Sequence, residues 1–187
     1  AAISFGTIPD LVNYWLTGEM TAEFTNATTT QFIDARTRLW ATDLLQELDV
    51  PTRILPRVVE AGTHVGYVGA DAHPALRGTR VVAPACHDTG SAVAAVRADG
   101  HRAFLSSGTW SLLGTELQAP VITPRARELN FTNEGGVCGT TRLLKNIAGL
   151  WLLQACRRNW AEQGHHFAYD ELLGLAAESR PAFQSLF

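Results

Sequence analysis

Apolar and polar positions alternate in a way that changes character several times along this chain. "PDLVNYWLTG" (9–18) predicts a short helix, with Pro9 in its first turn and Gly18 just past its end. "TAEFTNATTTQF" (21–32) breaks the helical spacing, and its threonines predict a loop held by hydroxyl–backbone bonds. "RLWATDLLQELDV" (38–50) restores it, with Trp40, Leu44 and Leu48 on one face, Ala41 and Leu45 beside them, and Pro51 as the stop. "THVGYVG" and "TRVVAPAC" predict two short strands separated by the polar loop 70–78, Pro84 being compatible only with a position near a strand end. "SAVAAV" (91–96) is small and apolar enough to pack as a helix closely against a sheet.

The charged, glycine-containing "RADGHR" (97–102) marks the predicted boundary between a first domain, 1–99, and a second, 100–187. Beyond it, "AFLSSGTWSLLGTEL" predicts two strands joined by a tight turn at Ser107-Gly108, "PVITPRAREL" a loop, and "NFTNEGGVCGTTRLL" two further strands around a Gly-rich turn. "NIAGLWLLQACRRNW" is apolar on most sides and predicts a largely buried helix. Asn146 stands as that helix's N-cap, and Gln154 shares a face with Ile147, Leu150 and Trp151. "YDELLGLAAES" predicts a last amphipathic helix. No internal repeat is visible, and the alternation of elements points to a layered α/β architecture.

Composition narrows the partners. With 46% hydrophobic and 18% charged residues, the 187-residue chain has the balance of a soluble globular protein. A formal net charge of -3 without a basic block argues against a nucleic-acid partner. No apolar run reaches the ~18 residues that span a bilayer, and the first residues lack a signal peptide. Cys86, Cys138 and Cys156 fit neither a disulfide framework nor a zinc site, which makes a reducing cytoplasm the expected compartment. The sequons at Asn26 and Asn130 are then chance occurrences. Met20 is the only methionine, and the abrupt ends predict an internal piece of a longer protein.

The chemistry concentrates in "PACHDTGSAVAAV" (84–96), where an apolar approach meets His87, Asp88 and Thr89 before a small-residue helix. Asp88 suits a helix N-cap; the same place, at the carboxyl end of a strand, also suits a carboxylate that takes a proton from a substrate hydroxyl. Three hydrogen-bonding side chains together fit a polyhydroxylated substrate better than a core. Asp88-Thr89-Gly90-Ser91 also resembles the catalytic turn of aspartic proteases, but that mechanism pairs two such turns and the chain has one. The turn in "SSGTWSLLG", with Thr109, would point N–H groups and hydroxyls at phosphate oxygens. No P-loop motif is present. The amide of Gln154, within an apolar sweep, needs a partner, either backbone or ligand.

Taken together, "PDLVNYWLTGEMTAEFTNATTTQFID", "HDTGSAVAAV", "FLSSGTWSLLGTE" and "NFTNEGGVCGTTRLLKNIAGLWLLQACRRNW" resemble the corresponding segments of the FGGY carbohydrate kinases. The resemblance implies the actin/hexokinase-type ATPase fold, related to ribonuclease H, with two lobes closing over ATP and a ketose. It makes residues 1–99 the C-terminal part of the first, sugar-binding lobe and 100–187 the N-terminal part of the second, nucleotide-binding lobe. The His-Asp-Thr form of the turn points to the branch that phosphorylates the 1-hydroxyl of L-rhamnulose. Asp88 would be the catalytic base, His87, Thr89 and Asn146 substrate contacts, and Thr109 and Gln154 nucleotide contacts. ATP would come with Mg²⁺, for which these residues offer no assignable ligand. Gly90 stands where the family often has alanine. The family's first phosphate loop and its adenosine-holding Gly-Gly segment have no counterpart here, so this segment by itself would have a broken ATP site.

Overall fold

The computed structural model describes residues 2–96 and 102–179. Two compact units emerge, one made of 1–106 and 112–146, the other of 107–111 and 147–187. The expected domain boundary at 97–102 falls almost wholly outside the described residues.

The first unit opens with α1 (Ile8–Thr17), in which Thr7 and Asp10 form a reciprocal capping box and Pro9 sits in the first turn. It ends as expected at Gly18, whose φ of 78° lets its amide bond back to Tyr14. The threonine-rich segment is not a loop. It forms β1 (Thr21–Glu23), α2 (Phe24–Ala27) and a 3-10 turn at Thr28–Thr30. The hydroxyl–backbone bonds are present, but they reinforce the helical turn: Thr28, Thr29 and Thr30 donate to the carbonyls of Thr25, Asn26 and Ala27.

After the hairpin β2 (Ile33–Asp34) and β3 (Leu39–Trp40), the expected long helix shrinks to α3 (Thr42–Glu47). Trp40 belongs to the strand, its indole donating to the carbonyl of Pro56 at 2.6 Å. Asp49 takes a left-handed φ of 57° and Val50 bonds back to Leu45, so the helix ends at Glu47, four residues before Pro51. Leu45 is buried, whereas Leu44 and Leu48 of the expected apolar face are exposed.

β4 (Arg57–Val59) pairs in parallel with β1, aligning Glu23 with Val59. The two strands expected next are present as β5 (His64–Tyr67) and β6 (Arg80–Val82); they pair antiparallel, irregular between His64 and Gly66, and β6 ends before Pro84. Val59, Val65 and Ala83 form a buried cluster with Val81 packed on it. The chain then turns into α4 (Asp88–Ala95), which buries Thr89, Gly90 and Val93 and leaves its other face exposed.

β7 (Ala103–Ser107), β8 (Trp110–Leu117), β9 (Thr132–Gly135) and β10 (Thr141–Ala148) make a sheet in the order β7-β8-β10-β9. Between β8 and β9, the expected loop contains α5 (Pro124–Glu128), started by Thr123, whose hydroxyl accepts the Ala126 amide, and by Pro124. The β9–β10 register sets Arg142 directly opposite Glu134. The second unit contains α6 (Trp151–Glu162) and α7 (Tyr169–Glu178).

Two expectations about α6 fail. β10 runs on to Ala148, so Asn146 is a strand residue and caps no helix, and Ile147 shares no helical face with Gln154. The helix starts later because the turn between β7 and β8 takes its first amides: Leu150 N–H donates to Gly108 O and Trp151 N–H to Thr109 O, both at 2.9 Å. Among the described residues nothing covers α6 fully, and Trp151 and Leu152 remain exposed rather than buried.

Candidate active site

The turn carrying His87 and Asp88 is held from below by buried polar groups of β1 and α2. Glu23 is 1% exposed. Its Oε1 accepts the Thr25 amide at 3.0 Å, and its Oε2 accepts the Thr25 hydroxyl at 2.6 Å, the Asn26 amide at 3.2 Å and the Cys86 amide at 2.9 Å. One carboxylate thus caps α2 and anchors the backbone two residues before Asp88. Thr25 extends the anchor, since its hydroxyl also accepts the His87 amide at 3.2 Å. A second buried carboxylate, Asp10, accepts the Glu23 amide at 3.2 Å together with the amide and hydroxyl of Thr7. Each of these buried carboxylates accepts hydrogen bonds on both oxygens, which offsets the cost of burying it.

Cys86 is part of this floor and is chemically quiet. Burial, then the nearby carboxylates of Glu23 and Asp10, push its thiol up to about 12, so it stays protonated near neutrality.

The opposite wall comes from β9 and β10. Arg142 is fully buried. Its Nε donates to Gly135 O at 2.9 Å, while Nη2 lies 3.1 Å from Glu134 Oε2 and 3.1 Å from His87 Nδ1. Burial depresses the guanidinium's pKa from its ordinary value, with Glu134 acting most strongly in the other direction. Gly135 is tied to the floor as well, its amide donating to the Thr28 hydroxyl at 2.9 Å.

On this base stands Asp88. It is the first residue of α4, with His87 in the N-cap position. Its Oδ1 accepts the adjacent Thr89 amide at 2.6 Å, a more local bond than the cap expected from sequence. The side chain is 95% exposed, and His87 Nε2 lies 3.7 Å from Oδ1. A carboxylate at a helix start is favoured by the helix dipole without needing a cationic partner. The result is an accessible acceptor beside an imidazole on a rigid turn. Thr89 is only 6% exposed, and its hydroxyl lies 3.3 Å from Asp88 Oδ1.

Asn146 is exposed near the end of β10. In the second unit, Thr109 lies in the exposed turn after β7, whose carbonyls receive the first amides of α6. Gly149 is required there, because an added Cβ would stand 2.5 Å from both Gly108 O and Ser111 Oγ. Gln154 is half-buried on α6 and lines a cavity of about 570 Å³ with Arg157, Arg158, His166, Phe167 and Tyr169. Arg157 is fixed over the Tyr169 ring at 3.9 Å and donates to Phe167 O at 3.1 Å.

The structure brings His87, Asp88 and Thr89 together, and sets the turn bearing Thr109 against the first turn of the helix bearing Gln154. The sequence reading missed Glu23, Thr25, Glu134 and Arg142. A glutamate before Thr-Asn in a short strand, and a lone arginine in "TTRLL", were the available signals.

Residues 1–95 match the N-terminal domain, and residues 103–187 the C-terminal domain, of the FGGY family of carbohydrate kinases. The chain belongs to that family. Among its relatives, the rhamnulokinase of Bacteroides thetaiotaomicron is 47% identical over 182 residues, covering 96% of this chain and 36% of the relative. The rhamnulokinase of Lactiplantibacillus plantarum is 45% identical over 177 residues, 93% of this chain and 36% of the relative. The chain therefore spans about a third of the length of these proteins. The fold is that of FGGY sugar kinases: a ligand-bound xylulose kinase from Lactobacillus acidophilus superposes with a TM-score of 0.74 at 18% identity, over 96% of this chain and 36% of that one. A xylulose kinase from Rhodospirillum rubrum gives 0.71 at 22% identity, over 92% and 35%.

Proposed function

We propose that this chain is the central part of an ATP-dependent ketose kinase that transfers the γ-phosphoryl group to the 1-hydroxyl of L-rhamnulose, with Asp88 as the base. The observation that carries this reading is the Asp88 carboxylate, exposed on a turn that Glu23 and Thr25 fix from beneath, 3.7 Å from the imidazole of His87. The substrate class is supported by relatives named rhamnulokinase at 45–47% identity.

On this reading residues 1–99 furnish the C-terminal part of the sugar-binding lobe and 100–187 the N-terminal part of the nucleotide-binding lobe. The sugar's primary hydroxyl hydrogen-bonds to Asp88, with His87, Thr89 and Asn146 as further substrate contacts. As the hydroxyl oxygen bonds to the γ-phosphorus, the bond from that phosphorus to the bridging oxygen breaks and ADP leaves. The hydroxyl proton passes to the carboxylate late, since phosphoryl transfer proceeds through a loose transition state. Catalysis then rests on position more than on an unusually strong base. Thr109 and Gln154 serve the nucleotide.

ATP in such enzymes is accompanied by Mg²⁺, yet among the described residues no three His, Cys, Asp or Glu side chains converge on a possible metal site. The cytoplasm is the compartment that ATP as donor implies, and no described helix is long and apolar enough to cross a membrane. No nucleic-acid partner is invoked.

The test is ADP release from ATP by the intact protein with L-rhamnulose, xylulose or glycerol as acceptor. Preference for L-rhamnulose supports the proposal, preference for xylulose replaces the substrate while keeping the chemistry, and no sugar-dependent release with any acceptor overturns it.

A further inference from the structure

We propose that Arg142 is a positioning residue that fixes His87 as the Nε2–H tautomer, making His87 and Asp88 a donor–acceptor couple for one substrate hydroxyl. Arginine carries only donors. An Nη2 at 3.1 Å from Nδ1 therefore meets a lone pair, and the imidazole's hydrogen is left on Nε2. Among the described residues, the carboxylate nearest Nδ1 is Glu134 Oε2, and at 3.8 Å it is out of hydrogen-bond reach. Glu134 Oε2 lies nearer Arg142 Nη2, at 3.1 Å, as an ion pair without hydrogen-bond geometry, and Arg142 Nη1 has no hydrogen-bond partner among the described residues.

The guanidinium has little freedom to do otherwise. It is fully buried, its Nε is spent on Gly135 O at 2.9 Å, and the β9–β10 register fixes Glu134 opposite it. His87 is held independently by its own amide on the Thr25 hydroxyl at 3.2 Å. The backbone that carries the ring and the guanidinium are thus held by different elements, and the two side chains meet at one hydrogen bond. The Nε2 edge faces Asp88, 3.7 Å from Oδ1, close enough for one hydroxyl oxygen sitting beside both atoms to accept from Nε2–H while donating to the carboxylate. Without Arg142 the hydrogen could sit on Nδ1, and Nε2 would then compete with Asp88 for the same hydroxyl proton.

The identity of that hydroxyl rests on the sugar-kinase reading; the tautomer does not. The experiment is long-range ¹H–¹⁵N correlation of the histidine rings in the intact protein, with His87 assigned by loss of its signals in His87→Gln. The expected result is an unprotonated Nδ1 shifted away from the free-acceptor position and a proton on Nε2. In Arg142→Met, Nδ1 is expected at the free-acceptor position. A proton on Nδ1 in the unsubstituted protein, an Nδ1 already at the free-acceptor position there, or an Nδ1 resonance unchanged by Arg142→Met would overturn the proposal. If Arg142→Met does not fold, the unsubstituted protein's Nδ1 signal decides alone. In turnover, Arg142→Met is expected to raise the KM for sugar about tenfold with the KM for ATP unchanged; equal rises in both would contradict a role at the sugar. Absence of any sugar turnover would defeat the kinase reading while leaving the spectroscopic result standing.

Discussion

Glu23→Gln probes the floor of the site with almost no change in shape. The carboxylate receives one donor on Oε1, the Thr25 amide, and three on Oε2, from Thr25, Asn26 and Cys86. A glutamine has one acceptor oxygen, and its best orientation places that oxygen where Oε2 was. Its NH₂ group then faces the Thr25 N–H, donor against donor, leaving a buried amide unsatisfied at a cost of about 1–3 kcal/mol. The other three bonds become neutral and weaken, partly offset because a charge no longer has to be kept out of water. The net expected loss is about 2–4 kcal/mol in urea unfolding. The amide resonances of Cys86 and His87 should shift with it, since their backbone hangs on Glu23 and Thr25. A loss below about 0.5 kcal/mol, the range of ordinary surface changes, with unmoved resonances, would refute the role assigned to Glu23.

Gly90→Ala should be neutral or stabilising by up to about 1 kcal/mol, because the added Cβ meets Thr25 and Arg142 at 3.4–3.5 Å, ordinary contact distances; thermal unfolding checks it. Gly149→Ala should cost about 1–3 kcal/mol from overpacking and remove the exchange protection of the Leu150 amide, because its Cβ would collide with Gly108 O and Ser111 Oγ. For Cys86, the folded thiol at about 12 lies above its ordinary 9.0. Above pH 9 the unfolded chain therefore loses that proton first, and stability falls as pH rises through the window from 9 to about 12. At pH 10 the deficit is at most about 1.4 kcal/mol, and smaller because the half-buried thiol is partly screened by solvent; Cys86→Ala should abolish it when unfolding at pH 7 and pH 10 is compared.

Local punctuation was the most legible part of the fold. Pro9 and Gly18 bounded α1, Pro84 ended β6, and the Gly-rich turn separated β9 from β10, because each of these residues restricts its own backbone. Elements whose ends depend on distant partners were misread. β10 and α6 meet four residues later than the pattern suggested, since only the folded turn at Gly108 and Thr109 offers the carbonyls that start the helix. The same limit applied to the site. His87, Asp88 and Thr89 are adjacent and could be seen together, whereas Glu23 reaches Cys86 across 63 positions and Arg142 reaches His87 across 55. Glu23 and Arg142 look unremarkable in sequence because their meaning lies in burial and pairing.

The most direct measurement is steady-state turnover of ATP with L-rhamnulose by the intact protein carrying Asp88→Asn. Because the side chain is 95% exposed, the substitution should leave unfolding within about 0.5 kcal/mol of the unsubstituted protein. The expected result is a fall in kcat of at least about 10²-fold, the contribution of a general base. Near-normal turnover in a stably folded Asp88→Asn protein would contradict the assignment of the base.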